Sequence, residues 1–429
     1  MRNIKIALLG FGNVGTGVFK IFNTNREEIF KRSGCNIEIS KILVRDKEKE
    51  RSVYAPKELF TTDFNDILED DDIKIIVEVM GGVESAKEYI LKGMEKRKHI
   101  VTANKMLLAL EGDILYRKAD ENSVGLNYEA SVAGGIPIIG GINEGLAANK
   151  IQSLYGIING TTNYILSKMQ FEGKAFEEAL MEAKEKGYAE ADPTSDIEGY
   201  DAQYKVAILA SLAFGTKIDV KNVYREGISK ITKSDIDCAN EFGYVIKLLG
   251  IIKEVDDELE LRVHPTMISK RHPLANVNDS FNAIFVKGNA VGDLMFYGKG
   301  AGDLPTGSAV VSDIISIVRN NIVIESEELV TKNNLWKRRI REFKDIESKY
   351  YTTISVEDKI GVLGRVTTVF GENNVSVKFI AQREVKDNFI KLVITTHETK
   401  EKNIKVAIKK LKELEKICTI HNVIRIEEV

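Results

Sequence analysis

Two stretches of this 429-residue chain carry residue types at spacings that suit chemistry. The first is Gly10-Phe11-Gly12-Asn13-Val14-Gly15, a GxGxxG that follows a short apolar strand and opens a helix. Gly10 permits the tight turn, Gly12 lets the backbone approach a pyrophosphate, and Gly15 allows close helix packing. The helix N-terminus adds amide donors for the anion. That context predicts dinucleotide binding. The end of the second strand bears on which dinucleotide, and here it reads Val44-Arg45-Asp46-Lys47. Arg45 is suited to clamp a 2′-phosphate, which favours NADP. Asp46 beside it is the kind of residue an NAD site uses, so NAD stays open.

The second stretch runs from Lys186-Gly187-Tyr188-Ala189-Glu190-Ala191-Asp192-Pro193 through Asp196 and Gly199 to Asp201 and Lys205. Asp201 and Lys205 are an i,i+4 pair and share a helix face, an arrangement that is usually a solvated surface ion pair. Two features set this pair apart. Lys205 leads into the apolar run Val206-Ala207-Ile208-Leu209-Ala210, which places it at the edge of a buried segment. Glu190, Asp192 and Asp196 crowd the preceding loop, which suits a pocket for an ammonium group.

The elements that would position these residues follow from periodicity. Strands at Ile4–Leu9, Ile37–Val44, Ile73–Met80 and His99–Thr102 alternate with helices up to about Arg32 and over Ser85–Lys96, as in a mostly parallel sheet covered on both faces. The fold class is therefore α/β, with a Rossmann-type nucleotide-binding domain at 1–125. An α+β catalytic and dimerisation domain is expected at 126–330. It contains a helix Ala175–Lys186 stopped by Gly187, a second helix reaching Phe214, and alternating strands at Leu259–Val263 and Ala283–Lys287. Lys332–Lys349, charged around the lone Trp336, reads as a solvated linking helix. Residues 350–429 follow the order βαββαβ with a turn at Lys386-Asp387-Asn388, a separate ferredoxin-like module.

Composition narrows the classes. Lys plus Arg number 61 against 64 Asp plus Glu, a formal charge of −3, which argues against a protein that coats nucleic acid. Cys35, Cys238 and Cys418 are scattered with no CxxC pair, so a disulfide framework is not expected and a reducing, cytoplasmic setting is. The longest apolar candidate, Val206–Phe214, is about half a membrane span, and the N-terminal run is too short for a signal segment.

Taken together, the motifs resemble homoserine dehydrogenases. The resemblance rests on the Gly10–Gly15 loop, Thr102-Ala103-Asn104-Lys105, Glu129-Ala130-Ser131-Val132 and Ile158-Asn159-Gly160-Thr161-Thr162-Asn163-Tyr164. The Glu190–Lys205 stretch and Gly300-Ala301-Gly302-Asp303-Leu304-Pro305-Thr306 complete it, covering nearly the whole chain. The last module resembles an ACT domain, with Asp358-Lys359-Ile360-Gly361-Val362-Leu363 similar to that family's ligand loop. The resemblance implies NAD(P)H-dependent reduction of aspartate 4-semialdehyde to homoserine, on the route to threonine and methionine. It implies Lys205 as acid/base, and Glu190 and Asp201 as holders of the substrate's amino acid end, with Asp196 a further candidate. Asn13, Val14, Lys105, Gly187 and Gly302 match cofactor positions, and Lys105 also faces the substrate carboxylate in this reading. Glu129, Val132, Gly134 and Ile136 match a sodium site built from backbone carbonyls and one carboxylate. A homodimer or homotetramer is expected, helped by an antiparallel sheet able to pair across a two-fold axis.

Two departures from the family pattern stand out. Ser131 occupies a position expected to be threonine and keeps the hydroxyl, while Ile360 replaces the proline common in the ACT loop. Threonine, as a pathway end product, is the expected effector of that module. A reference lysine with pKa about 10.4 is an ammonium at pH 7, fit to donate a proton. The reverse reaction needs the free amine, at about 4.6 kcal/mol for an unshifted lysine at pH 7, so homoserine oxidation should rise steeply toward alkaline pH. A phosphorylating semialdehyde dehydrogenase needs a cysteine nucleophile, and none of the three lies in a plausible active-site loop. A sensor that binds a dinucleotide and an amino acid without catalysis has no need of the Asp201–Lys205 helix. No kinase-like segment precedes the nucleotide domain, which sets aside an aspartokinase fusion.

Overall fold

Short, doubly buried strands alternating with helices produce the first sheet. The computed structural model describes residues 2–322, 338–386, 388–414 and 418–429. By contact density it divides into two units. Unit one gathers Met1–Ile151, Tyr204–Lys221 and Asn282–Lys337, and unit two gathers Gln152–Gln203, Asn222–Phe281 and Arg338–Val429. This grouping is not contiguous in sequence, unlike the ranges 1–125, 126–330 and 350–429 read from the motifs. The division falls inside one helix, Tyr200–Phe214, so Asp201 is grouped with unit two and Lys205 with unit one.

Unit one holds a six-stranded parallel sheet. Its spatial order is Phe60–Thr61, Asn36–Leu43, Asn3–Leu9, Ile73–Glu78, His99–Thr102, Leu126–Asn127. The order reverses between Asn3–Leu9 and Ile73–Glu78, and such a switch point leaves a crevice beyond the strand ends. Ile4, Ile6 and Leu8 of the first strand pack with Val18, Ile21 and Phe22 of helix Asn13–Thr24. The expected single helix to about Arg32 is two helices, Asn13–Thr24 and Arg26–Ser33, broken at Asn25; the second ends at Gly34 in the left-handed region. Helix Asp303–Ile317 joins this core through Val310, Ile314 and Ile317. A Cβ on Gly17 would lie 2.0 Å from the Asp303 carbonyl oxygen, so glycine is what lets the two helices approach this closely.

Unit two is built on a long hairpin, Tyr244–Val255 with Glu258–Ser269. Its two-residue turn, Asp256-Asp257, has positive φ at both positions, the geometry that matches strand twist. Ile151–Ile157 pairs antiparallel with Tyr244–Val255. On the other side Glu258–Ser269 pairs in parallel with Cys418–Glu427. The sheet then continues antiparallel through Glu347–Glu357, Phe389–Thr396 and Val377–Lys386. Those last four strands, with helices Val362–Glu372 and Glu401–Glu413, are the expected βαββαβ module around a core of Tyr350, Ile354, Phe370, Leu392 and Ile404.

The module's last strand extends the neighbouring sheet, and buried ion pairs line the seam. Arg262, wholly buried, donates to Glu427 Oε2 at 3.0 Å and Ser348 Oγ at 2.9 Å. Arg425 forks onto Glu401 at 2.7 and 2.9 Å and reaches Glu226 at 2.8 Å. Arg338–Lys349 also departs from the expected linking helix, because it holds the short strand Arg339–Ile340, a single turn at Phe343–Asp345 and the start of strand Glu347–Glu357. The rest of that expected helix, with Trp336, lies outside the described residues, as does Asp387 of the expected turn. Among the described residues no helix is long and apolar enough to cross a membrane.

Candidate active site

The Gly10–Gly15 loop sits where the sheet order reverses. Gly10 has φ +104°, and a Cβ there would lie 2.9 Å from the Val79 carbonyl oxygen at the end of the neighbouring strand. A Cβ on Gly15 would lie 2.4 Å from the Gly10 oxygen, so helix Asn13–Thr24 rests directly on the turn. Gly12 is exposed, with open space where a side chain would project, and as N-cap it offers no capping group to the helix. First-turn amides are thus left facing a space a pyrophosphate can fill, which fits a dinucleotide. Phe11 packs edge-on against Phe19 and Phe60 and fixes the loop.

Arg45 is exposed just past strand Asn36–Leu43. Asp46 turns its carboxylate to its own backbone, accepting from Glu48 N at 2.8 Å. Arg51 stacks over Phe60 at 4.4 Å and donates to the Lys49 carbonyl at 2.7 Å, pinning this loop.

Sequence reasoning missed Glu78. Wholly buried at the end of its strand, it accepts from Met80 N at 2.9 Å, Gly81 N at 3.2 Å and the Thr102 hydroxyl at 2.7 Å. Burial pushes its carboxyl above the usual range. Thr102 in turn receives Asn104 N, and Asn104 donates to the Gly82 carbonyl at 2.6 Å while capping helix Lys105–Asn122. Glu78 therefore locks two adjacent strand ends and sets Lys105, the first residue of that helix. The only signal in sequence was an acid closing an otherwise apolar strand.

Glu129, Val132, Gly134 and Ile136 are all buried, and a Cβ on Gly134 would lie 2.5 Å from the Gly300 oxygen. Both Ala133 and Gly134 have φ +55°. Glu129 accepts from Ile139 N at 2.8 Å and Gly140 N at 2.7 Å, and its own N–H donates to Asp313 Oδ2 at 2.8 Å. Burial pushes both carboxyls upward. Among the described residues no group of three or more His, Cys, Asp or Glu side chains is arranged to hold a metal, so a cation here would depend on carbonyl oxygens. Gly302, at φ +126°, leads into helix Asp303–Ile317, whose Asp303 pairs with Lys20 at 2.7 Å.

In unit two the carboxylates cluster around Asn159. Its side-chain oxygen caps helix Gly160–Glu172 by accepting from Thr162 N at 2.9 Å. Its amide nitrogen donates to Asp196 Oδ1 at 2.7 Å and Asp201 Oδ2 at 2.9 Å. Thr161 donates to Asp196 at 3.2 Å and to the Tyr188 carbonyl at 2.6 Å. That second bond ties in Gly187, which has φ +74° and ends helix Phe176–Glu185 as expected: Gly187 N bonds Lys184 O, and Tyr188 N bonds Ala183 O. Asp192 instead holds Thr194, and Glu190 is exposed outside this hydrogen-bonded cluster. Asp201 and Lys205 are 3% and 7% exposed, so this pair does not belong to a solvated helix face. Cys35 and Cys238 are free thiols and neither touches the cluster.

The matches to known proteins run in the same order as these features. Family models for the homoserine dehydrogenase NAD-binding domain, homoserine dehydrogenase and the ACT domain match residues 10–129, 137–315 and 350–416. A homoserine dehydrogenase of Bacillus subtilis is 41% identical over 100% of this chain and 99% of its own length. The chain belongs to the homoserine dehydrogenase family.

A crystal structure of a homoserine dehydrogenase from Thiobacillus denitrificans superposes with a TM-score of 0.94 at 40% identity, covering 100% of this chain and 99% of that one. A hyperthermophilic archaeal homoserine dehydrogenase in complex with NADPH gives 0.62 at 27% identity, covering 73% and 97%. The family activity is that of an NAD(P)-dependent oxidoreductase interconverting aspartate 4-semialdehyde and homoserine, which sets aside the phosphorylating dehydrogenase and the non-catalytic sensor.

Proposed function

We propose that Lys205 is the proton donor of this reaction and that Asp201 and Asp196 hold the substrate ammonium. The observation that carries the reading is the pair of carboxylates joined by Asn159, with a buried lysine one helical turn beyond Asp201. When bound, the reduced nicotinamide supplies a hydride to the aldehyde carbon. The chain's own residues do the rest: Lys205 delivers a proton to the carbonyl oxygen, the carboxylates fix the amino end, and Lys105 meets the substrate carboxylate. Glu190 is assigned to the amino end on resemblance alone, since it lies outside the cluster.

Asn13, Val14, Gly187 and Gly302 are assigned to the cofactor together with the glycine loop. NADP is the favoured cofactor, because Arg45 is exposed at the strand end while Asp46 engages its own backbone. The archaeal relative's NADPH complex supports the same choice. Carbonyls of Val132, Gly134 and Ile136 with Glu129 are assigned to sodium, supported by the left-handed turn at Ala133-Gly134. The ACT module is assigned threonine as effector, the oligomer is a homodimer or homotetramer, and the setting is cytoplasmic. Nicotinamide absorbance with aspartate semialdehyde, NADPH against NADH, for wild type and Lys205→Ala tests the core of this reading. Equal loss of absorbance in the mutant would remove Lys205 from the chemistry, and unchanged rates in millimolar threonine would remove the effector.

A further inference from the structure

Asn282, near the start of strand Phe281–Gly288, is 1% exposed, and neither its amide nitrogen nor its amide oxygen has a hydrogen-bonding partner among the described residues. A buried amide with both ends unmet is costly, because it has left water without gaining a partner. Its surroundings indicate what it serves. A Cβ on Gly300 would lie 2.0 Å from Nδ2, 2.2 Å from Cγ and 2.6 Å from Oδ1 of Asn282. The amide thus occupies the place of a Gly300 side chain, against the Gly300-Ala301-Gly302 turn. That turn is anchored at both ends, Lys299 O receiving Gly135 N at 3.1 Å and Gly302 O receiving Thr306 N at 3.1 Å. Between the anchors Gly300 is half-buried and Ala301 is exposed.

The turn also adjoins the helix that carries the glycine loop, since the Asp303 carbonyl oxygen lies 2.0 Å from where a Cβ on Gly17 would stand. A ligand that engages the start of helix Asn13–Thr24 therefore bears on the turn, and a small shift of the turn carries its peptide groups across the amide. An asparagine amide has the donor and the acceptor of a peptide group, so it can donate to one turn carbonyl and accept from one turn N–H. With no Cβ on Gly300, nothing on that residue stands between them. We propose that Asn282 is a positioning residue for the dinucleotide: its amide pairs with the backbone of the Gly300-Ala301-Gly302 turn in the bound enzyme, making hydrogen bonds that the free chain leaves unmade. This rests on the assignment of Gly302 to the cofactor. A ligand shifts a conformation only through its different affinity for the two states, and here the states differ in whether the amide is paired. Asn282 itself touches no reacting atom.

Asn282→Leu keeps the branching of asparagine and removes both polar atoms. Asn282→Ala removes the amide without filling its space, and covers the case in which the first variant fails to fold. The probe is whichever of NADPH and NADH the wild type turns over, titrated by nicotinamide fluorescence. Its Kd should rise about 10-fold, the size of one or two lost neutral hydrogen bonds. KM for homoserine and kcat should change less, and saturating dinucleotide should raise the thermal midpoint by less than it does in wild type. An asparagine with a structural role alone would instead lower the midpoint equally with and without dinucleotide and leave Kd unchanged. An unchanged Kd in a folded variant, or an equal rise in the homoserine KM, would overturn the proposal. Ala301→Glu separates the two ideas, because it adds to the exposed turn a carboxylate that the dinucleotide phosphates would meet. If it leaves Kd unchanged, the assignment of this turn to the cofactor falls; if it raises Kd while the Asn282 variants do not, only the positioning role falls.

Discussion

Two groups of buried charge in unit two are built on opposite rules. At the seam, Arg425 is forked onto Glu401 and shared with Glu226, while Arg262 is shared with Glu427 and Glu260, so each cation meets carboxylates inside the protein. Around Asn159, two carboxylates are joined by a neutral amide. The first arrangement is closed and serves the junction between two parts of one sheet. The second brings acids from two helices to one amide, and one of those helices also carries Lys205. Burial does not distinguish them, since Asp201 and Glu401 are both almost fully buried. What differs is the donor that joins the acids, a guanidinium at the seam and a side-chain amide at Asn159.

The largest expected effect lies beside the Asn159 cluster. Lys205→Ala should lower kcat for semialdehyde reduction by about 10²–10⁴, the usual worth of a positioned general acid, with dinucleotide binding measured by fluorescence little changed. At the seam, Arg425→Met removes the cation that Glu401 and Glu226 share, leaving Glu401 with Lys405 at 3.5 Å, and should cost about 3–5 kcal/mol of stability, read as a lowered unfolding midpoint.

Neutralising one acid in each group sharpens the contrast. Asp201→Asn should raise KM for homoserine by about 10–100-fold. Glu401→Gln should lower the midpoint and leave KM unchanged. If neither substitution moves KM, the contrast between seam and site is wrong.

The smallest effect is a pH dependence. Burial works against ionisation of Glu401, but the hydrogen bonds and charge of Arg425 outweigh it and hold the carboxyl below its usual range. A carboxylate whose folded pKa is depressed contributes stability that is present above its unfolded value and lost as pH falls through the folded one. Urea midpoints of wild type and Glu401→Gln should therefore differ at neutral pH and converge in acid. A constant difference down to pH 3 would count against the pair.

The sequence was legible where function demands neighbours along the chain. Gly10, Gly12 and Gly15 are spaced by one turn's geometry, and Gly187 marks a helix end within a few residues. The βαββαβ order was readable because the apolar period switches cleanly between two and 3.6. What stayed hidden depends on partners distant in sequence. Glu78 finds Thr102 across 24 positions, Asn159 finds Asp201 across 42, and Glu129 finds Asp313 across 184. Asn159 stood inside a motif that carried the resemblance, yet nothing local announced that its amide would bind two acids. Which sheet the ACT module's last strand would extend also stayed hidden, because the pattern of a strand does not reveal which edge it will join.

The position of Cys418–Glu427 also governs how the molecule is made. This strand, the last of those described to leave the ribosome, lies between Glu258–Ser269 and Glu347–Glu357. Before it joins, Glu347–Glu357 offers an unpaired edge of the kind that recruits other chains, whereas Glu258–Ser269 is already covered in part by Tyr224–Arg225 and Arg339–Ile340. The strand thus works as a wedge, covering an edge that would otherwise be open to association while joining two parts of one sheet.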